Sequence, residues 1–211
     1  LKQANQVFGY TRLMVGSMAM GAGRAALDIA IPYAKERIQF GTPLSEKQGY
    51  THKLIIPNVV NLEAAAAYID EIAMLLDSKE DELQVEGAVA KYFAAESASK
   101  TADDAVQALG GYGYICEFEV EKIRRDVKIT CIYEGTSEIL QNVIATFRWK
   151  KTRKTKGEFY AGISREMMAI HEQLDNAGCR TSWGGSAYAR NPDSHPGDTH
   201  AQRSDIGGSP P

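Results

Sequence analysis

Only three cysteines occur in 211 residues, Cys116, Cys131 and Cys179, and no two of them form a CxxC pair. An odd, widely spaced set excludes a disulfide framework and a cysteine zinc site, so a reducing, cytoplasmic setting is the expectation. Histidine is equally sparse. His52, His171, His195 and His200 share no metal-ligand spacing, and no metal chemistry is assigned to them. Excess charge of one sign is lacking too: a formal −3 gives no global attraction to nucleic acid or to an anionic membrane. No apolar run approaches the roughly 18 to 20 residues of a membrane span, and no basic flank precedes an apolar block at the N-terminus. An initial methionine is also missing. The chain enters helical pattern at once and reads as a fragment of something larger.

What the chain has is helical periodicity. With 44% hydrophobic residues, a domain of this length buries about two-thirds of its unfolded surface. Val7, Tyr10, Met14, Met18, Ala22, Ala25, Ile29 and Tyr33 recur at threes and fours and predict a helix over 3–38, kinked by Pro32. Gly41, Thr42 and Pro43 predict a turn, followed by a second helix from Ser45 to Leu76 disturbed at Gly49 and Pro57. After the solvated run DSKEDE, 77–82, a third helix extends to Leu109 with Val85, Val89, Tyr92, Phe93, Ala102, Val106 and Leu109 on one stripe. Gly110 and Gly111 stop it. A short helix over Glu119–Lys128 and a loop through Glu134 lead to a fourth long helix, Thr136–Trp149, capped by Thr136 or Ser137. The expected fold is all-α, an antiparallel up-and-down four-helix bundle over 1–150. A basic linker with an amphipathic helix, 151–175, and a disordered, flexible tail, 176–211, are expected to follow.

Four stretches carry possible chemistry. LGGYG, 109–113, follows a helix and not a strand, so it is a poor dinucleotide fingerprint and reads locally as a helix stop. In ERIQFG, 36–41, Arg37 either offsets the negative end of a helix dipole or pairs with an aromatic platform to hold a dinucleotide pyrophosphate and adenine. RWKKTRKTK, 148–156, is a solvated helix end or a phosphate-binding patch, with only Trp149 to support stacking. Glu134, in IYEGTS, is either a surface acid near a helix N-terminus or a base raised in pKa by partial burial beside Tyr133, with Gly135 letting substrate approach the backbone.

The order and spacing of Arg-x-Gln-Phe-Gly at 37–41, Gln-x-Leu-Gly-Gly-x-Gly at 107–113, Arg-Asp at 125–126 and Ile-Tyr-Glu-Gly-Thr-Ser-Glu-Ile at 132–139 resemble those of the acyl-CoA dehydrogenases. The likeness covers about residues 1–150 and is to their C-terminal helical domain. It implies an FAD enzyme that converts a saturated acyl-CoA to a trans-2-enoyl-CoA, with Glu134 as the base that removes the α-proton. It further implies that Arg37, Gln39 and Phe40 hold the FAD of a neighbouring subunit, joined by Gln107, Gly110 and Gly111. Gln48, Thr136 and Glu138 would touch FAD as well, although many relatives have glutamine where Glu138 stands. Tyr10, Arg12 and Gly135 fall where the family meets substrate. A homodimer or tetramer sharing its FAD sites and an electron-transfer flavoprotein as acceptor follow from the same likeness, in the cytoplasm or, in a eukaryote, the mitochondrial matrix. The fragment alone is expected to be inactive. A non-catalytic oligomerisation or nucleic-acid-binding module, and an acyl-CoA oxidase, are the competing readings.

Overall fold

The computed structural model describes residues 2–78 and 83–176. By contact the chain divides into two compact units, 1–159 and 160–211. The first is an all-α bundle whose long members are α1 (Lys2–Glu36), α3 (Ile56–Asp77), α4 (Gln84–Leu109) and α7 (Ser137–Lys154). Shorter pieces fill the connections: β1 (Ile38–Gln39), β2 (Thr42–Pro43), α2 (Gln48–Leu54), α5 (Gly111–Tyr114) and α6 (Val120–Lys128). Helix α8 (Glu158–Asn176) closes the described chain.

Small residues decide how the bundle packs. Gly9, Gly16 and Gly23 stand seven apart on α1, close to two helical turns, so they share a face, and α4 lies against it. A Cβ on Gly87 of α4 would land on the Gly9 carbonyl oxygen and 3.2 Å from its Cα. One on Gly16 would stand 3.3 Å from the Ala90 carbonyl oxygen, and one on Gly23 3.2 Å from the Ala98 Cβ. The backbones therefore approach closely, and alanines fill the seam: Ala19, Ala26 and Ala30 from α1 and Ala90, Ala94, Ala98 and Ala102 from α4 are all buried.

This seam displaces the first half of the expected α1 stripe, whereas Ala22, Ile29 and Tyr33 of the second half pack against the core. Val7, Tyr10, Met14 and Met18 are each more than half exposed, because the glycine and alanine face takes the core. On α4, Ala102 and Leu109 are buried as predicted, whereas Val85, Val89, Tyr92, Phe93 and Val106 flank the seam half-buried. One further expectation changes: Val7–Glu36 is long and apolar enough by composition to cross a membrane, and here its small-residue face is buried against α4.

The predicted second helix breaks at Ile55. Tyr50 of α2 donates its hydroxyl to the Ala108 carbonyl at 3.1 Å, fastening α2 to the end of α4. Pro57 then opens α3, where its missing N–H costs nothing. Across the bundle, buried Asn58 donates to Asp104 at 2.8 Å and accepts from Thr101 at 3.3 Å, tying α3 to α4 through a satisfied polar cluster. Between β1 and β2, Phe40 (φ 52°) and Gly41 (φ 84°) form a two-residue hairpin loop with both φ positive.

Gly110 (φ 62°) stops α4, as expected, and the short α5 follows directly. Thr136 caps α7, accepting from the Ile139 N–H at 3.4 Å. That helix runs past Trp149 to Lys154, so the basic run is largely helical. Within it Arg148 pairs with Glu86 at 3.2 Å and lies 4.9 Å above the Phe159 ring. Part of the DSKEDE run, 79–82, and the expected disordered tail from 177 onward, with Cys179, His195 and His200, lie outside the described residues.

Candidate active site

Glu134 sits between a 3-10 turn, Ile129–Cys131, and the start of α7. Its backbone is left-handed, φ 57°, and Gly135 follows at φ 97°. A left-handed non-glycine residue costs on the order of 1–2 kcal/mol, so the surrounding structure must hold it. Three side chains do. Thr11 Oγ1 donates to the Glu134 carboxylate at 3.0 Å, Arg12 Nε donates to the Glu134 carbonyl at 3.2 Å, and Lys91 Nζ donates to the Gly135 carbonyl at 2.7 Å. Ser137 anchors the downstream side, donating its hydroxyl to Glu96 with the Cys131 carbonyl 3.4 Å away. Two helices remote in sequence thus grip one loop, and the carboxylate stays half-exposed.

Both cations of this grip are buried. Arg12 packs against Phe8, 5.3 Å from its ring centroid, and its Nη1 is buried with no partner among the described residues. Desolvation lowers the Arg12 pKa, partly offset by the Glu134 charge. Burial likewise pulls the Lys91 ammonium below its ordinary range, against an opposing pull from Cys131 and with the like charge of Arg12 adding to the drop. Arg12, expected to face substrate, uses its Nε on the loop backbone in this structure. Tyr10, beside it, is exposed. Gly135 cannot gain a side chain cheaply, since a Cβ there would stand 3.1 Å from Leu140 at a positive φ.

A second feature lies at the other end of α4. Tyr33, Arg37, Gln39, Leu44, Gln107, Gly110, Gly111, Tyr112 and Ile115 line an open cleft of about 540 Å³. Five predicted cofactor residues, Arg37, Gln39, Gln107, Gly110 and Gly111, are among them. Arg37 lies 6.0 Å from the Tyr112 ring centroid, a guanidinium beside an aromatic face. A Cβ at Gly110 or Gly111 would meet nothing within 4 Å, so the floor is open to a ligand. A cation, two amides and bare backbone suit a dinucleotide pyrophosphate, and the donor set fits FAD.

The other predicted cofactor residues stand apart. Phe40 is 96% exposed at the hairpin tip, with Lys47 5.8 Å from its ring, and Gln48 opens α2 outside the cleft lining. Thr136 and Glu138 cluster at the α7 N-terminus, where the Glu138 backbone N–H and then the Thr136 hydroxyl hold the Glu138 carboxyl below its usual range. Sequence reasoning missed Lys91 altogether. Its signal was a lone lysine in AVAKYFAA, an otherwise apolar and small-residue turn of helix.

The family model for the acyl-CoA dehydrogenase C-terminal domain matches residues 1–147. This chain belongs to that family. It is 41% identical over 140 residues to the caffeyl-CoA reductase-Etf complex subunit CarC of Acetobacterium woodii, covering 66% of this chain and 36% of that protein. It is 41% identical over 152 residues to the mitochondrial short-chain specific acyl-CoA dehydrogenase of Sus scrofa, covering 72% and 37%. The fold matches butyryl-CoA dehydrogenase from Megasphaera elsdenii at a TM-score of 0.65 and 35% identity, covering 69% of this chain and 38% of that one. The chain spans about a third of the length of the curated relatives it matches.

Proposed function

We propose that this chain is the catalytic-base domain of an FAD-dependent acyl-CoA dehydrogenase, with Glu134 as the base. The observation that carries the reading is the grip on Glu134: a half-exposed carboxylate on a left-handed loop, oriented by Thr11 and backed by two buried cations. Such a carboxylate is preorganised to take a proton from a substrate held above the loop. The α-carbon loses its proton to Glu134, the β-hydrogen departs with its electron pair, and a carbon–carbon double bond forms. FAD, when bound, accepts that hydride.

The cleft residues Arg37, Gln39, Gln107, Gly110 and Gly111 hold the pyrophosphate and adenine of FAD. Phe40, projecting from the hairpin, joins them on that same FAD, which belongs to a neighbouring subunit and makes the working form a homodimer or tetramer. An electron-transfer flavoprotein carries the electrons away, a reading supported by the relative named as part of an Etf complex. The enzyme works in the cytoplasm, or in the mitochondrial matrix if its source is eukaryotic. The fragment alone lacks the remainder that these relatives possess and turns over no substrate.

The test is anaerobic titration of the full-length flavoprotein with straight, branched and aromatic acyl-CoAs while flavin absorbance is followed. Bleaching by at least one of them is expected. A flavin that stays oxidised with every thioester contradicts the proposal, and rapid reoxidation by oxygen would identify an oxidase instead.

A further inference from the structure

Lys91 lies about two turns into α4 with no exposed surface, and Ala88, Ala90, Ala94 and Ala95 around it in sequence are buried too. A buried ammonium is costly unless its protons are used, and an apolar side chain of similar length stabilises a packed seam at least as well. Its hydrogen bond is the 2.7 Å contact to the Gly135 carbonyl. The preceding carbonyl, that of Glu134, is held by Arg12. Two buried cations from two helices therefore hold two consecutive carbonyls, at a loop where two consecutive residues, Glu134 and Gly135, have positive φ.

The division of labour is geometric. Thr11 and Arg12 act on Glu134 itself, whereas the next peptide plane, between Gly135 and Thr136, is the loop's loosest joint because glycine imposes little restriction on φ and ψ. Rotation there would carry Glu134 away from Thr11 while leaving the α7 cap intact. We infer that Lys91 is a positioning residue that locks this plane through the Gly135 carbonyl and so fixes where the Glu134 carboxylate stands. The inference rests on the reading of Glu134 as the base. Lys91 touches neither substrate nor cofactor. It acts through the loop.

The experiment uses the full-length flavoprotein with Lys91→Met, Lys91→Arg and Glu134→Gln. Lys91→Met is expected to slow flavin reduction by acyl-CoA about 10- to 100-fold, the scale set by misplacing a catalytic group by an ångström. Acyl-CoA affinity and FAD content stay near wild type, and the melting temperature does not fall, because a buried charge has been removed. Amide exchange over residues 133–137 quickens while α4 keeps its protection. A wild-type reduction rate with unchanged loop protection overturns the inference. Should only Lys91→Arg fold, its longer, planar cation displaces the donor: slower reduction with normal affinity supports the inference, and an unchanged rate overturns it. The Glu134→Gln reference separates the two levels. If that variant still bleaches, or if no acyl-CoA bleaches the wild type, the base assignment fails and the inference falls with it. If it is inactive while Lys91→Met is fully active, only the inference fails.

Discussion

Thr11 of α1 donates its hydroxyl to the carboxylate of Glu134 at 3.0 Å, joining residues 123 positions apart. The contact aims a carboxylate whose own backbone is left-handed, and it places that carboxylate against α1. Thr11→Val keeps the shape and removes the donor. A hydrogen bond to a half-exposed charge is worth about 1.5 kcal/mol, so flavin reduction in the full-length enzyme is expected to fall about tenfold. Thr11→Ser is expected to restore it in stopped-flow measurements.

Arg12 supports the same loop from the interior. Arg12→Ala leaves the Glu134 carbonyl without that donor and empties the space beside Phe8. A loss of about 2–4 kcal/mol is expected from a urea unfolding curve, the scale of breaking a buried charged contact.

The glycine seam gives a paired test. Gly87→Ala would force a Cβ onto the Gly9 carbonyl and is expected to cost about 1–3 kcal/mol by parting α1 from α4. Gly21→Ala on the exposed face of α1, where a Cβ would meet nothing within 4 Å, is expected to stabilise by about 0.5–1 kcal/mol. Thermal unfolding of both variants checks the sign.

Tyr50 supplies a pH signature. Burial, and then the nearby Tyr33, push its phenol up to about 12 from an ordinary 10.0. The neutral form is the one the fold favours, so its contribution to stability is complete below the ordinary value and is lost as pH rises through about 12. Ultraviolet titration of phenolate is expected to show this late step, and Tyr50→Phe to remove it.

Much of this was legible in the sequence, for reasons that can be traced to particular residues. Gly110 ends α4 and Thr136 caps α7 because both signals are local. Arg37, Gln39, Gln107, Gly110 and Gly111 meet in one cleft, and matching their two motifs jointly is what put them together in the sequence. The first half of the α1 face was misassigned because large apolar side chains draw attention, whereas the seam with α4 is set by glycines at 9, 16 and 23 whose role depends on a partner helix. The grip of Arg12 on the loop and the presence of Lys91 there were not legible for a related reason. Periodicity marks a charged residue as a surface residue, and only the chain's long-range folding brings the Glu134 and Gly135 carbonyls to meet it.

The central claim is that Glu134 removes the α-proton. The direct measurement is anaerobic mixing of full-length Glu134→Gln with the best acyl-CoA, following flavin absorbance and exchange of the α-hydrogen with solvent. Retained FAD and acyl-CoA binding with neither bleaching nor exchange is the predicted result. Bleaching at the wild-type rate would contradict it.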